Sequence, residues 1–414
     1  MDAPPLPTSL VIEDLTASQR TLRVAMVTET YPPEVNGVAT SMARLVHGLH
    51  ARGHAVQLVR PRQHETEVGG AEPRLQEVLL RGLPIPRYPH LRLGLPARRT
   101  LLSLWSRQRP DIVHIATEGP LGWSALQAAR QLRLAACSDF RTNFHAYSRH
   151  YGMGWLQRPI MAYLRKFHNR TLCTMVPTDS LRRELAACGF HNLRVVQRGV
   201  DTRLFGPARR SEALRRRWGA AGDEPVVLHV GRIAPEKNLE TLAAACEAIR
   251  AAAPAARLVL VGDGPQREAL ARRLPTAHFA GVRTGEDLAA HYASADLFLF
   301  PSLTETFGNV TTEAMASGLA VLAYDYAAAG QLIRSGSNGL LAPFGDAAAF
   351  VRQAVALAAD PARVRRLGAR APQAAAAMRW EAVLVQVEQI YRDALQARPG
   401  NPAAAGLQPA GEGG

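Results

Sequence analysis

Two glutamates, Glu305 and Glu313, stand eight positions apart in PSLTETFGNVTTEAM, residues 301–315, with a Phe-Gly-Asn turn between them. The apolar run DLFLF leads into this stretch and a small-residue, helix-forming run follows, so it reads as strand, turn and helix start. The first N–H groups of a helix have no intrahelical partner. Those at Phe307, Gly308, Asn309 and Val310 therefore suit an anion, and Gly308 lets a phosphate come near. Glu313 lies about one turn further on, where a carboxylate can accept both hydroxyls of a ribose. Glu305 stands before the turn, on the side toward which a sugar attached to that phosphate would extend. Helix-dipole stabilisation alone also favours a glutamate near a helix start, so the ligand reading depends on what shares the site.

A second segment supplies the complementary charge. The strand VVLHV runs into GRIAPEKN at 231–238, where Gly231 permits close backbone approach and Arg232 and Lys237 offer two cations. A guanidinium fork beside a compact ammonium suits a diphosphate. Of 49 basic residues only Lys166 and Lys237 are lysine, so a lysine here is a selective use. The glycine-rich turn VGDGP at 261–265 follows another strand and by itself says only that the backbone turns sharply there.

Strands and helices alternate around these segments. LRVAMVT (22–28), AVQLVR (55–60), DIVHIA (111–116) and TMVPT (174–178) read as buried parallel strands, with helices such as VATSMARLVHGLHARG (38–53) between them. The pattern restarts after RVVQRGVDTRLFGP, with strands in VVLHVGR, RLVLVGDG, HFAGV, DLFLFPS and LAVLAYD. Such alternation predicts two doubly wound α/β units, residues 21–200 and 201–378, between Pro/Ala/Gly-rich tails at 1–20 and 398–414. A helix over 379–397, with Trp380 and Tyr391 as anchors, either crosses back to the first unit or simply ends the second. Ligands of open α/β sheets bind beyond the carboxyl ends of the strands, so two facing units make a cleft into which these motifs point.

Composition narrows the function classes. The 414-residue chain is 47% apolar and carries a net charge of +14. Residues 81–109 hold seven arginines and no acid, and 141–170 hold six cations and no acid. That basic half suits anionic lipid or an anionic soluble substrate; nucleic acid is disfavoured because no binding motif or interleaved aromatics accompany it. No run is apolar enough for a membrane helix and no leader pattern is present, so a cytoplasmic protein is expected. Cys137, Cys173, Cys188 and Cys246 lack metal or disulfide spacing and read as free thiols.

Glu305 and Glu313 match the E-x7-E pattern of retaining family-4 glycosyltransferases, and GRIAPEKN resembles their diphosphate-binding segment. TETYPPEVNGVATSMARLVHGLHARGHAV resembles their N-terminal glycine loop and helix, and the likeness runs over about residues 22–395. It implies the GT-B fold, two facing Rossmann-like domains with a C-terminal helix crossing back to the first. It also implies hexosyl transfer from a nucleotide diphosphate sugar, GDP-mannose or a UDP-hexose, with retention and no metal or other cofactor. Arg232 and Lys237 would hold the diphosphate, Glu313 the ribose, and Glu305 would sit by the transferred sugar. Gly231, Phe307, Gly308, Asn309 and Val310 would line the donor site, Phe279 to Val282 the base pocket. Gly37 would approach from the first domain, and His145, in FRTNFHAYSRHYG, corresponds to the family's active-site histidine; His150 is a poorer match. Asp325 stands where the family has a glycine-rich segment. Similar bacterial enzymes mannosylate or glucosylate lipids, so the expected acceptor is a lipid or cell-envelope glycan, met by the first domain with contact to an anionic membrane surface. The alternatives are a soluble or polysaccharide-precursor acceptor, or a nucleotide-sugar-binding protein without catalysis. Front-face attack is the favoured route to retention, with a covalent carboxylate intermediate as the other.

Overall fold

The computed structural model describes residues 21–397 apart from 35, 86–87, 142–156, 221 and 223. Its strands are β1 (Arg23–Val27), β2 (Ala55–Pro61), β3 (Ala71–Glu72), β4 (Leu75–Leu80), β5 (Gly82–Ile85), β6 (Tyr88–Gly94), β7 (Ile112–Ile115), β8 (Ala135–Asp139), β9 (Cys173–Val176), β10 (Leu193–Val195), β11 (Val226–Val230), β12 (Arg257–Val261), β13 (His278–Gly281), β14 (Leu297–Phe300), β15 (Ala320–Tyr324) and β16 (Leu340–Ala342). Its α-helices are α1 (Gly37–Ala51), α2 (Arg98–Arg107), α3 (Pro120–Gln131), α4 (Gln157–His168), α5 (Asp179–Ala187), α6 (Glu212–Arg217), α7 (Leu239–Ala252), α8 (Arg267–Arg273), α9 (Gly285–Ala293), α10 (Asn309–Ala316), α11 (Ala327–Leu332), α12 (Ala347–Ala358), α13 (Pro361–Ala376) and α14 (Trp380–Gln396).

These elements form an eight-stranded sheet in the order β10-β9-β8-β7-β1-β2-β4-β3 and a six-stranded sheet in the order β13-β12-β11-β14-β15-β16. All neighbours are parallel except β3 with β4. Both sheets are covered on two faces, and β1 shows how a buried parallel strand does this. Val24 and Met26 pack with α1 and α14, while Ala25 and Val27 pack with α2 and α3. The fold is the doubly wound, two-sheet α/β architecture expected from the alternation.

The ends of α1 are written in its sequence. Asn36 caps it by accepting the Ala39 N–H at 2.8 Å, and Gly53, at φ +87°, takes the left-handed turn that stops it. The last helix does cross back: Val383, Leu384, Val387, Ile390 and Tyr391 of α14 join the core beside α1, not the second sheet's core. Gly48 of α1 is the crossing point, for a Cβ there would stand 2.5 Å from Leu384 Cδ1. Polar groups fix the register. Buried Glu388 takes Arg52 and His54 from the far end of α1, and the Tyr391 hydroxyl bonds His114 Nδ1 at 2.6 Å.

The antiparallel pair β5–β6, inside the arginine-rich 81–109 segment, was not expected from sequence; it forms its own two-stranded sheet. Among the described residues no helix is long and apolar enough to cross a membrane.

Candidate active site

Three loops at the carboxyl ends of β11, β12 and β14 meet, and glycine makes the meeting possible. After β12, Gly262 sits at φ +132° so close to the β11 loop that a Cβ would stand 1.9 Å from the Gly231 carbonyl oxygen. Gly264 is pressed likewise against Ile233, 2.4 Å from its oxygen. Backbone bonds from Gly231 N to Val261 O (3.0 Å) and Ile233 N to Asp263 O (2.9 Å) close the seam. VGDGP thus shapes the diphosphate-like segment from behind. The end of β13 joins through Gly262 N to Gly281 O at 2.8 Å, which brings Phe279 and Val282 to the same edge; Val282 is 54% exposed while Phe279 packs inward.

The expected cations are present, each with a carboxylate partner. Arg232 pairs with Glu236, which is wholly buried, and Lys237 pairs with Glu305. Ser302 Oγ also donates to Glu305, at 2.6 Å, and the Lys237 ammonium lies 5.7 Å from the Phe300 ring centroid. Both partners of the Lys237–Glu305 pair are 14% exposed, sheltered enough to strengthen the attraction yet open to a ligand. Beneath them His229 donates from Nδ1 to Leu299 O at 3.0 Å. Burial, only partly offset by that bond, pushes its pKa down to about 4, so it is a neutral floor.

The helix reading of the opening stretch holds. α10 begins at Asn309 after Gly308, whose φ is +92°, and no side chain caps it, so its first N–H groups keep their capacity for an anion. Glu313, one turn in, receives the Tyr292 hydroxyl on Oε2 at 2.9 Å. Burial raises its pKa to about 7, and the Tyr292 bond restrains the rise. Oε1 makes no bond among the described residues.

Gly37 arrives from the other sheet. It opens α1, and a Cβ on it would stand 3.4 Å from the Asn309 side-chain nitrogen. The starts of α1 and α10 therefore come together, with Arg232, Lys237, Glu305 and Glu313 on and around the loops that lead into α10. Such an arrangement has the charge to suit a polyanion.

Gly37, Gly231, Arg232, Lys237, Glu305, Gly308, Asn309, Val310 and Glu313 thus come to one cleft. Phe307 differs: its side chain is buried in the core, so it can serve a ligand only through its backbone. His145 and His150 lie outside the described residues. Several partners were not anticipated. Glu236, Ser302 and Tyr292 hold the charged side chains, and Tyr326 donates its hydroxyl to Glu305 O at 2.9 Å. Tyr326 belongs to the segment around Asp325 that departs from the family pattern, so that segment braces the Glu305 turn.

Two doubly wound sheets whose strand-end loops meet at these residues are the two-domain GT-B architecture found in glycosyltransferases. The profile described as "Glycosyltransferase Family 4" matches residues 35–204, and that described as "Glycosyl transferases group 1" matches 224–360. A GDP-mannose-dependent alpha-mannosyltransferase of Mycobacterium tuberculosis is 37% identical over 330 residues, 78% of this chain and 85% of that protein. A GDP-mannose-dependent alpha-(1-6)-phosphatidylinositol monomannoside mannosyltransferase of the same species is 30% identical over 89% of this chain and 98% of its own length. Among solved structures, sucrose-phosphate synthase from Thermosynechococcus elongatus superposes with a TM-score of 0.74 at 23% identity, covering 90% of this chain and all but 1% of its own (99%). The chain belongs to glycosyltransferase family 4.

Proposed function

We propose that this glycosyltransferase moves mannose from GDP-mannose to a lipid acceptor with the anomeric configuration retained. The observation that carries the site is the approach of the glycine-opened start of α1 to the uncapped start of α10, beside the loop that bears Arg232 and Lys237. As the sugar–phosphate bond breaks, negative charge grows on the diphosphate, and cations and N–H dipoles already aimed there stabilise it without reorganising. In this reading Lys237 divides its charge between Glu305 and the leaving phosphate. Glu305 keeps the sugar side negative, which favours an oxocarbenium-like centre, and Glu313 takes the ribose hydroxyls. Attack from the leaving-group face, with a diphosphate oxygen accepting the acceptor's proton, keeps the configuration without a covalent intermediate.

The donor rests on the relatives' dependence on GDP-mannose. The lipid acceptor rests on the phosphatidylinositol mannoside named for one of them and on the charge of the first unit. Arg98, Arg99, Arg107 and Arg109 on and after α2 are exposed. Leu83 and Leu93, opposite each other on β5 and β6, are 54% and 38% exposed beside exposed Arg81. Cations around a small apolar pair suit the surface of an anionic bilayer. A thermal-shift panel of GDP, UDP and ADP with their sugars tests the donor: GDP and GDP-mannose should raise the melting temperature most. Lys237→Ala should fold normally and lower turnover about 100- to 1000-fold, as loss of one preorganised donor does. A stronger response to UDP would overturn the donor, and unimpaired turnover would overturn the site.

A further inference from the structure

At the carboxyl ends of β7 and β8, beside α14 and one hydrogen bond from the Glu305 turn, lies a buried polar node that the reaction as described does not use. Its centre is Asp139, the last residue of β8. Asp139 takes Arg141 and His114 (3.2 Å) on Oδ2 and Arg198 (3.2 Å) on Oδ1. All four side chains are at most 8% exposed. Burial would raise the Asp139 carboxyl, but the charges of Arg141 and Arg198 and the bond from His114 hold it well below the usual range, so the node is ionised. Burial in turn lowers His114, and a neutral ring satisfies both its contacts: Nε2–H donates to Asp139 and Nδ1 accepts from the Tyr391 hydroxyl at 2.6 Å.

Four elements that set the cleft end on this node. Tyr391 belongs to the crossover helix α14. Arg198 directly precedes Gly199 and Val200, and Val200 bridges to Arg379 at the entry to α14. The Arg141 guanidinium donates to Ser41 Oγ at 2.6 Å, and Ser41 in turn donates to the carbonyl of Gly37 at 2.8 Å, the residue facing Asn309. The Arg141 carbonyl accepts the Thr306 hydroxyl at 3.1 Å, across the cleft. Thr306 is the neighbour of Glu305.

We propose that Arg141 and Asp139 are positioning residues forming an interdomain clamp: they hold Glu305 in register with the first domain and tie that register to the crossover helix through His114 and Tyr391. A fully buried ionised node admits few alternative arrangements, because a displaced partner leaves a charge unpaired. Loosening at Tyr391 is therefore felt at Thr306 rather than absorbed between them. The inference rests on the glycosyltransferase reading for its effect on rate, though not for its geometry.

Two mild substitutions probe its ends. Thr306→Val keeps the shape and removes the cross-cleft bond; Tyr391→Phe keeps the ring packed and removes the bond to His114 together with a long contact to the Met26 sulfur (3.8 Å). Each should lower kcat for transfer roughly 3- to 10-fold, the equivalent of one neutral hydrogen bond, with nucleotide binding in the absence of acceptor changed less than about twofold. The double variant should be no slower than Thr306→Val alone, because both changes release the same contact. Fold-effects that multiply would overturn the clamp, as would an unchanged kcat in Thr306→Val. Amide exchange over 303–308 supplies a readout without turnover: it should quicken several-fold in Tyr391→Phe, and identical exchange overturns the clamp. A wild-type protein that transfers from no nucleotide sugar would instead overturn the proposed function, and the exchange result would still decide the clamp.

Discussion

At the scale of single residues, the cleft is a set of charges whose states are set by neighbours. Glu313 is the clearest case. Its pKa, raised to about 7 against an ordinary 4.5, means that the folded protein keeps this proton through a window in which the unfolded chain loses it. Its contribution to the stability of the empty protein therefore declines as pH rises from about 4.5 to about 7. In its proposed role Glu313 accepts the ribose hydroxyls as a carboxylate, so nucleotide affinity should run the other way and rise with pH through about 7. Titration calorimetry across pH 5.5–8.5 should show that rise in the wild type and a flat, weaker profile in Glu313→Gln. A rise that survives in Glu313→Gln would assign the titration elsewhere. Arg232, Lys237, Glu305 and Glu313 were legible because each lies within a few positions of a strand end or helix start, where local pattern and chemistry coincide. Glu236, Tyr292 and Arg141 were not, for opposite reasons. Glu236 sits within the motif but looks like a solvated acid, and its burial comes from the Glu305 turn packing over it through Thr304 Oγ1 to Glu236 O, 3.0 Å. Tyr292 meets Glu313, and Arg141 meets Ser41 and Thr306, over sequence separations that no spacing rule covers.

At the scale of elements, the strand-end loops fit only because side chains are missing at their seam. Gly262 combines a left-handed φ of +132° with a backbone oxygen 1.9 Å from where a Cβ would be. Gly262→Ala should cost on the order of 3 kcal/mol, strain and overlap together, and shift the Gly231–Asn238 loop. Thermal unfolding should show a loss of several degrees together with weakened nucleotide binding. An alanine variant as stable and as tight-binding as wild type would mean that the seam yields without consequence. The buried strands of both sheets were readable as apolar runs bounded by turns. The region 71–94 was not: its short strands carry Pro84, Arg92 and exposed leucines, and an antiparallel pair standing off the main sheet needs no continuous apolar face. β16 escaped for its three-residue length. The crossover of α14 was open between two packings in sequence, and it is decided by Glu388 and Tyr391 bonding partners hundreds of positions away.

At the scale of the whole molecule, charge is partitioned between the halves. If the first unit's arginines face a bilayer, the protein should co-sediment with vesicles containing anionic lipid and not with neutral ones. Binding should fall steeply between about 50 and 500 mM salt, as screening shortens the reach of surface charges. Reversal of Arg98 and Arg99 together to glutamate should weaken that association while leaving nucleotide binding intact, since neither residue lies in the cleft. Equal sedimentation with neutral vesicles would point to the apolar Leu83–Leu93 pair alone.

The opposition of α1 and α10 across Gly37 and Asn309 carries a further consequence, for turnover. Two helix starts brought this close each carry partial positive charge, so an anionic occupant relieves their mutual repulsion. A nucleotide sugar supplies a diphosphate with one oxygen esterified by the hexose; after transfer, once the proton taken from the acceptor has left, the diphosphate carries one more negative charge. In the proposed reaction the spent donor should therefore bind more firmly than the fresh one. On the proposed reaction the by-product should therefore compete with its own precursor, and inhibition of transfer by GDP at concentrations below those at which GDP-mannose saturates would show it.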